Sequence, residues 1–161
     1  MAEGEFALVR QHIEEALHKE SVFFGVGDHD LYTMLVDVAV LQSDEVALQQ
    51  YLPPAQEAAA RYGHTLYQAI VDRAWGVAHR LAGDYVKAEA QLNDALTIFR
   101  EMETLWQLGR THVELGELAL EQVNANAARG HFVEALAVFE ELKAVPYANR
   151  TLTKLDHFSI S

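Results

Sequence analysis

A chain of 161 residues, half of them apolar, is long enough for one domain with a sizeable core. Its 24 acidic and 12 basic residues leave a formal charge of −12, which opposes phosphate backbones and anionic membrane surfaces. The absence of cysteine excludes disulfides, thiolate metal sites and a cysteine nucleophile. No apolar run approaches the length of a membrane span, and Met1 to Arg10 lacks a basic segment followed by an apolar core. The expectation is a cytoplasmic protein that binds neither nucleic acid nor membrane.

Phe6, Val9, Ile13 and Leu17 recur at spacings of three and four and predict a first helix with one apolar face. Ser21 to Asp30 reads as a loop, with Gly25-Val26-Gly27 as a turn. Leu31 to Gln42 is almost continuously apolar, so the second helix should be buried on more than one side. Ser43-Asp44 predicts a turn and N-cap. Pro53-Pro54 predicts a kink or fresh start in the helix that follows, which should stop at Gly63. Thr65 and Gln68 have the spacing of a capping box for a helix running to about Leu81, and Thr104 and Gln107 have it again. Gly83-Asp84 predicts the next turn and cap. Ala88, Leu92, Ala95, Leu96, Phe99 and Met102 form a broad apolar stripe after it.

Much of the chain repeats. Thr65-Leu66-Tyr67-Gln68 returns as Thr104-Leu105-Trp106-Gln107, Gly76 as Gly116, Phe99 as Phe139, and Arg110-Thr111 as Arg150-Thr151. A fixed period near 40 residues marks a stack of helix pairs. Gly83 and Gly130 are seven residues out of this period. Taking Gly130 as the third turn therefore predicts an inserted segment near Val123 to Ala128 that lengthens the helix begun at Thr104. His131 to Leu142 should be its partner, with Ala135 and Phe139 facing inward. Pro146 suits the first turn of a last helix. Gly76 and Gly116 lie mid-helix, where each costs roughly 1 kcal/mol of helix propensity relative to alanine. Close approach of a partner helix would account for both.

Trp75-Gly76, Gly83-Asp84-Tyr85, Ala88, Leu92 and Ala95-Leu96 resemble a tetratricopeptide repeat, and Gly130, Phe132, Ala135 and Phe139 are similar in the next unit. The longer period resembles the tetratricopeptide-like repeats of large bacterial ATP-binding transcription activators and related signalling proteins. The resemblance implies an all-α fold of about seven helices in a right-handed superhelical stack of antiparallel helix hairpins. One domain would span 1–161: a capping helix and loop over 1–29, three hairpins over 30–145 and a capping helix over 146–161. It also implies a concave groove lined by Asp30, Thr33 and Asp37 of the first unit. Ile70, Arg73, Val77 and Arg80 would follow from the second, Arg110, Val113 and Glu117 from the third, and Arg150 at the end.

The arginines of that set suit a carboxylate or acidic peptide, because guanidinium presents a planar fork to such groups. The opposing reading is that they pair with glutamates such as Glu114 or Glu117 of neighbouring helices. On the groove reading, replacing Arg73, Arg80 and Arg110 by alanine should cost binding but little stability. Val77 stands where the chaperone-binding carboxylate clamp of the family has asparagine, so that ligand is not implied. No nucleophile, base and orienting group assemble from the sequence. Eight histidines include no pair at the spacing of four that chelates a metal on one helix. Glu15 with His18 lacks the second copy that a di-iron bundle needs, and Asp28-His29-Asp30 reads as a cap and loop. The expectation is a non-enzymatic interaction module without cofactor or metal, binding a protein or peptide on its concave face. The alternative is a regulatory domain that binds a small effector in the groove. An apolar C-terminal end face predicts a homodimer.

Overall fold

The structure, a computed structural model, describes residues 3–18, 28–156 and 158. Eight α-helices occupy almost all of these: α1 (Glu3–His18), α2 (Asp28–Gln42), α3 (Glu45–Tyr62), α4 (Thr65–Leu81), α5 (Tyr85–Glu101), α6 (Leu105–Glu121), α7 (Ala125–Glu141) and α8 (Val145–Asp156). The fold is all-α, with no strand among the described residues and one helix more than expected. None of these helices is long and apolar enough to cross a membrane. The expected loop over Ser21 to Asp30 is corrected at its end, because Asp28, His29 and Asp30 already belong to α2. Residues 19–27, with the expected turn, and residues 157 and 159–161 lie outside the described residues.

Local chemistry explains the helix boundaries. Asp44, Asp84 and Asn124 accept hydrogen bonds from the backbone N–H of Ala47, Lys87 and Ala127, at 3.0, 3.3 and 3.2 Å. The residue before each cap takes a left-handed backbone. Ser43, Gly63, Gly83, Glu103, Val123 and Lys143 all have φ between 50° and 78°. They fall one every twenty residues. At Gly83, for example, the chain closes by Gly83 N–H to Arg80 C=O and Asp84 N–H to His79 C=O, the five-to-two and six-to-one bonds of a Schellman turn. The same two bonds recur at Ser43, Glu103, Val123 and Lys143.

This even spacing corrects the third turn. The turn falls at Gln122 to Asn124, so α6 is no longer than α4, each having 17 residues. Gly130 lies inside α7, where an added Cβ would meet nothing within 4 Å. The expected extension over Val123 to Ala128 is instead the turn and the start of α7. Val123 is the least suited of the six turn residues, being β-branched and 90% exposed with no packing to hold it. Left-handed backbone costs roughly 1–2 kcal/mol for such a residue. Glycine relieves that cost but gains freedom in the unfolded chain. Val123→Gly should therefore stabilise the protein by roughly 0.5–1 kcal/mol net. A urea titration showing reduced stability would refute this account of the turn.

Two further expectations change. The N-cap of α4 is His64, not Thr65, and it makes no side-chain cap bond. Thr104 does cap α6, but its hydroxyl donates to Phe99 C=O, and Gln107 accepts from Arg73. Neither capping box forms. The helix α3 also runs on through Pro53 and Pro54, so of the kink or fresh start expected there the fresh start does not occur. Gln49 and Gln50, whose carbonyls lose their partners there, are exposed, so water can take up the freed acceptors.

Each helix from α1 onward packs on the next, and α4 also packs on α2 and on α6. In α1 the inward face holds Ile13, Ala16 and Leu17, whereas Val9 is exposed. Leu31, Leu35, Val36, Ala39 and Val40 bury most of α2. The mid-helix glycines lie where partner side chains press against the backbone. A Cβ on Gly76 would stand 2.7 Å from Leu92 Cγ, and one on Gly116 would stand 2.5 Å from Phe132 Cε1. Leu92 and Phe132 are both fully buried.

Candidate functional site

Three of the basic residues singled out from the sequence, Arg73, Arg80 and Arg110, meet acidic partners on α2 and α6. Arg73 has no exposed surface. Its guanidinium donates to Asp37 Oδ1 at 2.7 Å and Gln107 Oε1 at 2.5 Å, and lies 5.5 Å from the Phe99 ring centre. Arg110 donates to the other oxygen of Asp37 at 2.8 Å. One carboxylate thus joins α2 to both α4 and α6. Burial alone would raise the Asp37 pKa, but the two guanidiniums outweigh it and hold the carboxyl below its ordinary value. Burial, then repulsion from Arg110, lowers Arg73 to about 10, so it stays charged at neutral pH.

Arg80 donates to Glu121 at 2.5 Å and to Glu114 at 3.3 Å. Burial pushes the Glu114 carboxyl up against the opposing pull of Arg80, Arg73 and Arg110. Farther along, Lys154 of α8 bonds Glu117 of α6. On the other side, the Tyr67 hydroxyl bonds Asp30, and Thr33 donates to the His29 carbonyl at 2.6 Å. Ile70 and Val77 are core residues, 4% and 0% exposed.

Arg73, Arg80 and Arg110 are therefore largely spent on internal partners. The expected freedom to remove all three at little cost to stability does not fit this geometry. Arg150 differs. It is exposed, its guanidinium lies 5.6 Å from the Tyr147 ring centre, and it has no acidic partner among the described residues.

The structure brings four of the expected groove residues, Arg80, Val113, Glu117 and Arg150, to one cavity of about 320 Å³. Leu41, Glu114, Phe139, Tyr147, Thr151 and Lys154 complete most of its wall. Arg80 Nε itself is buried, with no hydrogen-bond partner among the described residues and no surface open to the cavity. The cavity does not include Asp30, Thr33, Asp37, Ile70, Arg73, Val77 or Arg110. Lys154 and Tyr147 are not among the groove residues expected from the sequence. Both were findable, because they lie four residues after and three before Arg150 on the same helix face.

Away from this cavity, His112 of α6 and His131 of α7 approach with Nδ1 atoms 3.2 Å apart. One nitrogen must donate and the other accept, so at least the accepting ring is neutral. Burial, then the neighbouring His131, pushes the His112 pKa down to about 4, and burial also lowers His131. A histidine kept neutral in the folded state stabilises fully above its unfolded pKa of about 6.5. As pH falls from there towards 4, the unfolded chain takes up the proton first, and stability is lost. Both rings are only half-buried, so water screens part of the effect, and the loss should be about 1–2 kcal/mol. Chemical denaturation at pH 7.5 and 5.0 measures it. His112→Gln should flatten the difference, and an equal slope in the variant would show that other groups cause it.

The chain matches no protein-family model, and a search of curated proteins returns no match.

Proposed function

We propose that this chain is a non-enzymatic interaction module of the tetratricopeptide-like kind, a right-handed superhelical stack of antiparallel hairpins that binds a peptide or protein partner. The 40-residue sequence period supports this reading, as do the turns spaced at half that interval. In such a stack α2, α4, α6 and α8 line the inner face. The observation that carries the binding site is the cavity where Arg150 stands exposed beside Lys154. An acidic group of the partner would be held there by the planar guanidinium of Arg150. Phe139, Tyr147 and Val113 supply apolar contact around it. A cytoplasmic role in bacterial signalling or transcriptional control goes with this reading.

The cavity volume favours one second reading. About 320 Å³ lies at the low end of small-molecule pockets, so a small carboxylate effector also suits the site. Binding to an array of acidic and neutral peptides, and thermal shift with a set of carboxylic acids, separates the two. Arg150→Glu should weaken binding of the preferred acidic ligand at least tenfold, about 1.4 kcal/mol, while leaving the melting temperature nearly unchanged. Unaltered affinity in that variant would sink the site, whichever ligand class is used.

A further inference from the structure

We propose that His112 and His131 form a binding site for a divalent transition-metal ion held between α6 and α7. Their Nδ1 atoms stand 3.2 Å apart. Imidazole binds zinc-like ions through bonds of roughly 2.0–2.1 Å, and two such bonds span this distance at a ligand–metal–ligand angle of about 100°. That angle lies between the octahedral and tetrahedral values. An ion can thus replace the proton that the two rings share, with modest ring rotation.

The helices already hold the rings in place. His131 precedes Phe132, whose fully buried ring sits against Gly116, one turn beyond His112 on α6. The cost of bringing two ligands together is therefore met by folding rather than by the ion. Each neutral imidazole carries a single ring N–H, so the proton shared at Nδ1 moves to Nε2 when an ion takes both Nδ1 lone pairs. Glu134, one turn after His131, acts electrostatically on both rings and Glu89 on His131. Arg100 opposes them at His112.

Among the described residues no three acidic or histidine side chains converge on one point. The two imidazoles would therefore be joined by water ligands. Such a donor set selects ions that favour nitrogen, Zn²⁺, Ni²⁺ and Cu²⁺, over Mg²⁺ and Ca²⁺. An ion there would clip α6 to α7. The two histidines are 19 residues apart, so spacing along one helix could not have shown them.

The test is calorimetric titration of the tag-free, metal-free full chain with ZnCl₂, NiCl₂ and MgCl₂ at pH 7.5. One zinc or nickel site per chain is expected, with no magnesium binding. His112→Gln and His131→Gln should each weaken it at least tenfold, whereas His79→Gln should not. Absence of a zinc or nickel site, or one that survives both substitutions, overturns the proposal. If either variant fails to fold by circular dichroism, the wild-type histidine resonances provide the second measurement. Substoichiometric Cu²⁺ should broaden the His112 and His131 ring signals ahead of those of the other six histidines. Uniform broadening overturns the proposal equally.

Discussion

Asp37→Asn should lower stability by about 3–4 kcal/mol, the largest single-residue loss expected in this protein. The variant keeps the shape of the side chain and removes its charge. Arg73, fully buried, and Arg110, nearly so, would then face each other without the anion between them. Removing one partner of a buried pair costs roughly 3–5 kcal/mol, and Asp37 is partly exposed, which argues for the lower end. Arg73→Met should cost less, about 2–3 kcal/mol, because Asp37 retains Arg110. The double variant should be less damaged than the sum of the two, since removing Arg73 relieves the repulsion created at Asp37. Urea titrations of the three variants decide the matter. A loss under about 1 kcal/mol for Asp37→Asn would mean that water solvates the cluster well enough to dispense with the carboxylate.

Gly116→Leu should destabilise by roughly 3 kcal/mol, although leucine is the better helix former by nearly 1 kcal/mol. Even the first added carbon would stand 2.5 Å from Phe132 Cε1 and 2.8 Å from two more atoms of the same ring. That ring is fully buried and cannot swing into solvent. Gly76→Leu should cost somewhat less, about 2 kcal/mol: its first added carbon would meet Leu92 Cγ at 2.7 Å and the Ala88 carbonyl oxygen at 3.2 Å, a slightly looser fit. Gly130→Leu supplies the control, since its Cβ would meet nothing. Thermal melts in which Gly116→Leu matches or exceeds the wild type would remove close packing as the reason for the glycine.

The helical fold was legible because its signals are local. The apolar stripe of α5 and the caps Asp44 and Asp84 each declare themselves within a few residues. The third turn was not, because only two of the six left-handed positions are glycine. Val123 carries no turn signature, while Gly130 carries a false one seven residues away. A backbone closed by two main-chain hydrogen bonds tolerates a poor residue, so the turn is set by the helices on either side. The candidate site was half legible for a related reason. Periodicity placed Arg73, Arg80, Arg110 and Arg150 on one set of helices. Which of them an internal carboxylate neutralises depends on contacts 34 to 73 residues away in sequence. Arg150 lies on α8, and no acidic side chain among the described residues pairs with it.

The turns recur every twenty residues, whereas the side-chain pattern recurs every forty. As a backbone, the molecule therefore has twice the translational symmetry of its chemistry. Sliding the chain by one helix would leave each of these turns as well closed as before. It would set Glu57, Asn93 and Gly130 where Asp37, Arg73 and Arg110 now meet, with no cation among the three. The buried ions thus distinguish odd helices from even ones, a choice to which the turns are blind.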